Sequence, residues 1–378
     1  MKIGIDARFM GPEGTGLGRY IEELVKELEL IDQDNQYVIF LRKANYDFYQ
    51  PRNKNFKKVI ADARWYSLRE QIVMPFKIYQ EKIDLMHFGH FNIPIFYRGR
   101  FIVTIHDLIK SEYASKSATT RAAFVYWLKH RIYKYVIKKA ILKSKKIITP
   151  SNYVKNKLAG KYPVDYQKIV VTPEAADEKF AKWSRQEISG DLVAKTLRKY
   201  EIEKPYLIYV GNSYPYKNLS RLLQAMKLID RRVKLINPCA RSVFYNRLKA
   251  EVKTLGLDKR ILLPGFVPDE ELSILYRHAE AYVFPSLSEG FGIPALEAME
   301  SGLPVICSNM SSLPEVCKDA AIYFDPFSIK DIAAKINNFL TTPDLRKIYK
   351  EKGFKRAKLF SWKSCAKKTL DIYKSAIK

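Results

Sequence analysis

The sequence predicts an α/β protein made of two domains, each with a parallel, doubly wound sheet. Its 378 residues exceed the usual size of one hydrophobic core, so two domains are expected. Short apolar segments such as 101–105 and 206–210 suit buried strands, and they alternate with helical segments such as 68–81. In sheets of this kind functional residues gather at the carboxyl ends of the strands, so the residues that follow each strand are the candidates for a site.

The first domain is predicted to open with a strand at residues 1–6, a glycine-rich stretch and an amphipathic helix that runs to Leu30. Gly14, Gly16 and Gly18 lie between that strand and the helix, further from the strand than the glycines of a dinucleotide fingerprint. The glycines alone are therefore weak evidence for a nucleotide site. Further strands are expected at residues 37–41, 58–61, 84–88, 101–105 and 147–149.

Asp32 and Asp34 form an Asp-x-Asp sequence, a pattern that can bind a divalent metal. They fall in a polar turn between the first helix and the strand at 37–41, where acids are usually solvated. We therefore interpret them as solvated residues, and we expect neither a metal site nor a cofactor.

His106 and Asp107 directly follow the predicted strand 101–105, at the end where function gathers. An isolated His-Asp pair also fits a simple capped turn. If the pair is functional, the Asp107 carboxylate could hold the tautomer of His106 by a hydrogen bond.

The balance of charge is the most unusual property of the composition. Sixty-six Lys and Arg residues against 40 Asp and Glu give a formal net charge of +26, which suggests a polyanionic partner such as nucleic acid or anionic lipid. A lysine-rich composition in the source organism is the alternative explanation. The sequence has no zinc-finger spacing, aromatic RNA-binding strand or evident recognition helix, so nucleic acid is not an expected partner and a basic nucleic-acid-binding protein is a minor alternative.

Residues 120–146 concentrate that charge, with nine Lys or Arg, five aromatic residues and no acid. An apolar stripe from Phe124 to Ala140, which includes Ile132, is expected to pack against the sheet. The basic residues suit anionic lipid headgroups as well as an ordinary solvated face, and the membrane-surface candidates among them are Arg131, Lys134 and Lys138.

A strand–loop–helix segment in the second half of the chain predicts an anion site. The strand 206–210 is followed by Gly211 and then by Lys217, at the start of a helix that Asn218 can cap. A lysine at such a position adds a cation to phosphate that backbone amides already bind.

A second segment of the same kind carries two carboxylates. Gly290 and Gly292 form a loop after a short apolar strand, and Pro294 stands at the first position of the next helix. Glu289 and Glu297 flank the anion site that this helix start predicts. A sugar diphosphate would satisfy both features, with phosphate for the amides and hydroxyls for the carboxylates. The simpler alternative is a β-α unit with a glycine turn and a solvated glutamate.

The stretch S-E-G-F-G-I-P-A-L-E, in which seven residues separate Glu289 from Glu297, resembles the E-x7-E signature of retaining glycosyltransferases. The closest resemblance is to family 4, whose members have the two-domain GT-B architecture. The stretch G-N-S-Y-P-Y-K-N-L, which contains Lys217, is similar to one branch of that family. The resemblance spans nearly the whole chain.

The resemblance implies a role for each candidate residue. Lys217 and the amides of the glycine loops would bind the donor diphosphate, Glu289 the sugar hydroxyls and Glu297 the ribose. His106, with Asp107 beside it, would face the sugar near the acceptor. The implied donor-binding set is Gly16, Gly18, Gly211, Asn212, Lys217, Phe266, Val267, Glu289, Gly290, Phe291, Gly292, Ile293 and Glu297.

Two parts of the donor site are weakly encoded. The backbone of Phe266 and Val267 would meet the nucleobase, so the identity of the base does not depend on these side chains. The family commonly has an Arg just after Gly211, where this chain has Asn212. A second cation such as Arg241, or the helix termini, would then stabilise the leaving group.

The implied domain organisation follows the GT-B pattern. An acceptor-side domain at 1–183 would be completed by the C-terminal helix 361–378, which crosses back to it. Residues 184–204 would be a linker, because they are charged and irregular. Residues 205–360 would bind the nucleotide sugar, with the two domains facing a cleft.

The implied reaction is metal-independent transfer of a hexose, with retention of configuration, from a nucleotide sugar to a glycan or lipid-linked glycan in surface polysaccharide synthesis. GDP-mannose is the leading donor, since mannosyl transfer is common in the branch that the Lys217 loop resembles. A nucleotide-sugar epimerase of the same fold is the alternative. Without a signal peptide or a spanning segment in the sequence, we expect a cytoplasmic protein attached peripherally to the inner face of an anionic membrane.

Overall fold

The first unit of the chain contains a seven-stranded parallel sheet. In the computed structural model, which describes residues 1–109, 123–239 and 242–377, this unit comprises Met1–Glu174 and Ser361–Lys378. The strands pair in the spatial order three, two, one, four, five, six, seven, which confirms the predicted doubly wound arrangement. They are β1 (Lys2–Asp6), β2 (Gln36–Leu41), β3 (Phe56–Ile60), β4 (Leu85–Phe88), β5 (Phe101–Thr104), β6 (Ile147–Thr149) and β7 (Ile169–Val171).

Helices connect these strands on the two faces of the sheet. The helices of the continuous part of the unit are α1 (Thr15–Ile31), α2 (Glu70–Gln80), α3 (Ala123–Lys143) and α4 (Asn152–Lys161). Ser151 caps α4 as its sequence predicts, since its hydroxyl accepts a hydrogen bond from the Val154 amide.

The second unit, Ala175–Phe360, contains a six-stranded parallel sheet. Its strands are β8 (Tyr206–Ile208), β9 (Lys234–Pro238), β10 (Ile261–Gly265), β11 (Tyr282–Phe284), β12 (Val305–Ser308) and β13 (Ala321–Phe324), in the spatial order β10-β9-β8-β11-β12-β13. Its helices are α5 (Glu178–Ser184), α6 (Gly190–Lys199), α7 (Leu219–Met226), α8 (Val243–Thr254), α9 (Asp269–His278), α10 (Ile293–Glu300), α11 (Leu313–Cys317), α12 (Ile329–Thr341) and α13 (Pro343–Ala357).

The last helix, α14 (Trp362–Ile377), belongs to the first unit, as the sequence predicts. Alternation along the strands decides which helices cover which face. Met86 of β4 joins a core that includes Met74 of α2 and Ile137 of α3, whereas the adjacent His87 contacts Tyr373 of α14 on the opposite face. Helices α2 and α3 therefore cover one face of the sheet, and α14 covers the other together with α1, on which it packs. No helix in the described part of the chain is both long and apolar enough to cross a bilayer.

The division between the units differs from the predicted linker at 184–204. The chain changes unit after Glu174, and the ring of Phe180 is fully buried in the core of the second unit. Residues 190–199, expected to be irregular, form helix α6, which Ser189 caps and whose Leu197 packs on that core. The charged residues of this segment lie on the outer side of an amphipathic helix. The composition of the segment therefore did not indicate that it is helical.

Helix α3 packs on the sheet with Val136 and Ala140 of the predicted stripe, but not with Ile132. Ile132 is 54% exposed, whereas Val136, Ile137 and Ala140 are buried. The side chains of residues 121–129, and with them Phe124, lie outside the described residues. The membrane-surface candidates all have exposed side chains on α3, namely Arg131, Lys134 and Lys138.

Asp32 is a structural residue and not a solvated one. It is 3% exposed, and it accepts hydrogen bonds from Tyr37 Oη at 2.5 Å and Asn35 Nδ2 at 2.7 Å. Burial raises the pKa of Asp32, but these bonds and two backbone amides outweigh it, so the net shift is downward. Both carboxylate oxygens of Asp32 accept hydrogen bonds from the turn before β2 and thereby stabilise it. Within the described residues, no group of three or more His, Cys, Asp or Glu is placed to hold a metal ion.

Candidate active site

The second unit brings its two predicted anion loops together at the carboxyl edge of the sheet. One loop follows β8 and contains Lys217, and the other follows β11 and contains Glu289. Because β8 and β11 are neighbours in the sheet, the loops leave it side by side. The Leu287 amide donates to the Tyr216 carbonyl at 2.8 Å, which joins the two loops through their backbones.

Lys217 and Glu289 form an ion pair across these loops. Lys217 Nζ donates to Glu289 Oε1 at 2.6 Å, and the two side chains are only 15% and 11% exposed. Charges interact more strongly in such a shielded place than on an open surface. The sequence predicts both residues as ligands of the donor but does not predict their contact. A phosphate that binds Lys217 must therefore compete with Glu289.

Asn218 joins the loops but does not cap helix α7 with its side chain. Its backbone is in the left-handed region at φ 60°, and no side-chain cap bond forms. Instead Nδ2 donates to the carbonyls of Pro285 at 3.1 Å and Pro326 at 2.8 Å. Asn218 Oδ1, the atom that would cap the helix, accepts from Arg221 Nη1 at 2.9 Å, so Asn218 stands at the N-cap position without the predicted side-chain cap.

The glycine loop after β11 ends in the tight turn that its sequence predicts. Gly292 has φ 103°, and a Cβ there would come within 2.8 Å of Leu313 Cδ2, so the position requires glycine. Helix α10 begins at Ile293, with Pro294 as its second residue and not its first. Phe291 is buried and Ile293 packs on the core, so these two contribute backbone to the turn. Gly290 precedes them in the loop.

Two serines that follow β12, and that the sequence analysis did not predict, hold this loop. The Glu289 amide donates to Ser311 Oγ at 3.1 Å. Ser312 Oγ lies within hydrogen-bond distance of the carbonyls of Glu289, at 3.1 Å, and of Phe291, at 2.9 Å. Their position just after a strand of the same parallel sheet is the signal that could have identified them.

The second carboxylate of the predicted pair, Glu297, is buried on α10 at 4% exposure. Burial is the main cause that raises the pKa of Tyr282 well above its usual value, and Tyr276, Glu289 and Glu297 add to it. Glu289, in the loop after β11, and Glu297, on the helix that follows it, both come after the carboxyl end of β11, and Lys217 is bonded to Glu289 there.

The remaining donor candidates of this unit also follow strands. Gly211, after β8, has φ 144°, and Asn212 is exposed with its carbonyl bound by Tyr209 Oη at 3.1 Å. After β10, the Phe266 side chain is 76% exposed and Val267 is buried. Arg241, the candidate second cation, lies outside the described residues.

In the first unit, the predicted glycine loop is partly helix. Helix α1 begins at Thr15, with Gly14 at its N-cap position and no side-chain cap. Gly16 and Gly18 therefore lie inside the helix. A Cβ at Gly18 would come within 2.5 Å of the Gly11 carbonyl, which explains that glycine by packing. A Cβ at Gly16 would meet nothing within 4 Å, so no contact within the described structure requires a glycine there.

His106 lies at the carboxyl end of β5, but its partner is Glu174 and not Asp107. His106 Nδ1 lies 2.7 Å from Glu174 Oε1, and Nε2 donates to the Gly89 carbonyl at 3.1 Å. Burial lowers the pKa of His106, but the Glu174 carboxylate and the Gly89 carbonyl outweigh it and raise it above the usual value. Asp107 accepts from the Ile109 amide at 2.9 Å, as in the capped-turn alternative. A carboxylate 68 residues away could not be identified from the sequence around His106.

The His106–Glu174 pair predicts a specific pH dependence of stability. Because the pKa of His106 is raised above 6.5 in the folded protein, its contribution is complete below about pH 6.5 and is lost as pH rises through the folded value. We expect Glu174→Gln to lower the free energy of unfolding more at about pH 6 than at about pH 9, measured by urea denaturation. Asp107→Asn is the comparison variant, since that carboxylate does not bind the ring but raises the pKa of His106 through space, and it should give a smaller difference between the two pH values. An equal loss at both pH values would show that His106 is neutral.

A buried ionic cluster at the ends of β1 and β4 was not predicted. Arg8 is fully buried and donates to Asp6, at 2.7 Å to Oδ2, and also to Glu70 of α2. Asn92 Nδ2 donates to both oxygens of Glu70, at 2.7 and 2.9 Å. The Trp65 ring stacks on Phe9, with centroids 4.5 Å apart. The cluster stabilises the carboxyl edge of the first sheet. Its one local sign in the sequence is the pair of charged residues Asp6 and Arg8 at the end of β1.

Known proteins share this architecture and sequence. The sequence model "Glycosyl transferases group 1" matches residues 194–356, and "Glycosyltransferase Family 4" matches residues 14–180. O-antigen chain mannosyltransferase B of Escherichia coli is 30% identical over 372 residues, covering 95% of this chain and 96% of its own length. O-antigen chain mannosyltransferase RfbU of Salmonella typhimurium is 28% identical over 348 residues, covering 89% and 90%. The structure of sucrose-phosphate synthase from Thermosynechococcus elongatus superimposes with a TM-score of 0.78 at 19% identity, covering 99% and 98%, which shows the same fold.

Proposed function

Because this chain belongs to the group 1 glycosyltransferases of family 4, we propose that it transfers mannose from GDP-mannose to a growing bacterial surface polysaccharide. The observation that carries this proposal is the whole-length similarity to two O-antigen mannosyltransferases, which spans both units. The gathering of Lys217, Glu289 and Glu297 at one sheet edge supports a nucleotide-sugar donor in the second unit.

In the proposed mechanism the protein stabilises a departing diphosphate. Lys217 and the amides at the start of α10 would take up the negative charge that develops on the leaving group. Gly16, exposed in the first turn of α1, would add an amide, as the family resemblance implies. Since these donors are fixed before the reaction, they need little reorganisation as the charge develops.

The carboxylates would recognise the sugar nucleotide. Glu289, once its ion pair with Lys217 opens, would accept hydrogen bonds from sugar hydroxyls, and the buried Glu297 would bind the ribose. The acceptor hydroxyl would attack the anomeric carbon from the face of the leaving group as the bond to the diphosphate breaks, and its proton would pass to the departing phosphate oxygen, so the configuration is retained. The positively charged His106, whose ring nitrogens bind Glu174 and Gly89, would position the acceptor without transferring a proton.

The test is a transfer assay on the purified protein with EDTA present. We expect release of GDP from GDP-mannose that depends on a polysaccharide acceptor and persists in the chelator, because Lys217 and helix termini supply the cationic groups. UDP-hexoses are the matched alternative donors. Release of UDP without GDP would overturn the choice of donor. Loss of transfer in EDTA with recovery in manganese would overturn metal independence, and conversion of the donor without acceptor would favour an epimerase.

A further inference from the structure

Helix α2 exposes a stripe of large apolar side chains. Leu68, just before the helix, is 89% exposed, Ile72 is 74%, Phe76 is 63% and Tyr79 is 52% exposed. Their spacing of four, four and three residues places them on one side of the helix. The opposite side of α2 supplies Met74 and Ile78 to the core, so the stripe is additional to what folding needs.

The loop that follows β4 extends this surface. Phe96 is 67% exposed. The Ile95 amide donates to Gln71 Oε1 at 2.6 Å, and the Arg98 amide donates to Tyr79 Oη at 3.0 Å, so the loop lies against α2. The Phe96 ring is therefore presented beside the stripe of the helix.

Helix α3 lies on the other side of the same loop. Lys139 Nζ donates to the Ile95 carbonyl, and α2 and α3 pack on the same face of the sheet. Helix α3 exposes Ile132 and Tyr135, at 54% and 57%. We call the combined surface the apolar face, and it consists of Leu68, Ile72, Phe76, Phe96, Ile132 and Tyr135.

The exposed charges of the two helices are positive. On α2, Glu70 is fully buried beside Arg8, and Glu81, just after the helix, is paired with Lys2 and Lys57. Helix α3 has no acidic residue at all. The cations that border the apolar face are Arg69 and Lys77 on α2, Arg98 in the loop, and Arg131, Lys134 and Lys138 on α3.

We propose that the apolar face inserts into the headgroup region of an anionic lipid bilayer, with the bordering cations on the lipid phosphates. Helices that lie on membranes combine large apolar side chains with Lys and Arg in this way. A second copy of the chain is a poorer occupant, because pairing two such faces would bring like charges together. The sequence predicted only the cations of α3, whereas the structure assigns the anchoring apolar groups to α2 and Phe96. This proposal does not depend on the identity of the donor.

The test is sedimentation of the full chain with vesicles of phosphatidylglycerol and phosphatidylethanolamine. We expect Ile72→Ser with Phe76→Ser to lower the partition coefficient at least about tenfold, or about 1.4 kcal/mol. Leu30→Ser is the matched control, since Leu30 is 67% exposed on α1, which covers the other sheet face. Transfer to a water-soluble acceptor should be unchanged in both variants, so failure of this proposal and failure of the proposed function are distinguishable.

Further variants and vesicle compositions distinguish insertion into the bilayer from other modes of binding. Lys134→Glu with Lys138→Glu should also weaken binding, and phosphatidylcholine vesicles should bind less than anionic ones. In Phe76→Trp, brominated lipid should quench more fluorescence than in the wild type, whose four tryptophans give the background, and the difference reports insertion of the new indole. Absence of vesicle binding, or equal binding by wild type and the double serine variant, would overturn the proposal. A dimer in solution that the serine variant dissociates would overturn it in favour of a protein interface.

Discussion

Replacing Lys217 with alanine is expected to lower kcat for sugar transfer about a hundredfold or more, roughly 2.7 kcal/mol, while the fold is retained. The ammonium is held at the sheet edge by Glu289 and by the loops that Asn218 ties together. In the proposed mechanism it is a preorganised charge for the departing diphosphate, and such groups commonly contribute most to a rate enhancement. Lys217→Arg should recover part of the rate, since the charge remains.

The control for this experiment must separate chemistry from stability. Lys217→Ala leaves the shielded Glu289 carboxylate without its cation, which is itself unfavourable. Lys217→Ala combined with Glu289→Gln should restore the melting temperature but not the rate. Lys199→Ala removes another lysine–glutamate pair of the same unit, with Glu271, and should leave kcat unchanged. A folded Lys217→Ala enzyme with wild-type kcat would remove Lys217 from the mechanism.

Alanine at Gly16 is expected to reduce transfer about tenfold without loss of stability, because a methyl group there would stand between the donor phosphate and the amides of α1. A Cβ at this position touches no other group of the described structure, and alanine is the better helix former by about 0.5–1 kcal/mol. The effect should therefore be confined to activity, measured as kcat/KM for the donor.

Two other glycines of the first unit give matched controls for Gly16. A methyl group added at Gly160 of α4 would also meet open space, so Gly160→Ala should leave activity unchanged and, like Gly16→Ala, should not lower stability. Gly18→Ala should destabilise the fold by about 1–3 kcal/mol, since its Cβ would lie 2.7 Å from the Phe9 carbonyl and 2.5 Å from that of Gly11. Unchanged kcat/KM in Gly16→Ala would show that the donor does not approach this helix start.

Local sequence predicted many of the strands, their parallel arrangement and the glycine turn at Gly292, because the alternation of strands with helices and the turn glycine are visible in short windows. It also predicted Lys217 and Glu289 separately, but the bond between them joins positions 72 residues apart. The Glu174 partner of His106 was missed for the same reason. A side chain's neighbours across a sheet edge depend on strand order and loop path, and a single sequence does not display them.

Burial was the other property that the sequence predicted poorly. Asp32 looks solvated by composition, yet a local network of hydrogen bonds compensates for its burial. Ile132 and Phe76 look like core residues by type, yet they face outward. Residue type gives the free energy of transfer from water, but the position of the neighbouring element decides whether the transfer takes place.

The ion pair between Lys217 and Glu289 has a consequence for turnover. In the proposed mechanism an intact donor draws the ammonium to its phosphates and also brings hydroxyls for the released carboxylate, so both charges keep partners. After transfer the nucleoside diphosphate would have lost the sugar, and Glu289 would regain a charged partner by taking Lys217 back. The protein's own carboxylate then competes with the spent nucleotide for the same cation. Product inhibition should accordingly be weak, and Glu289→Gln, which removes the competitor, should strengthen it.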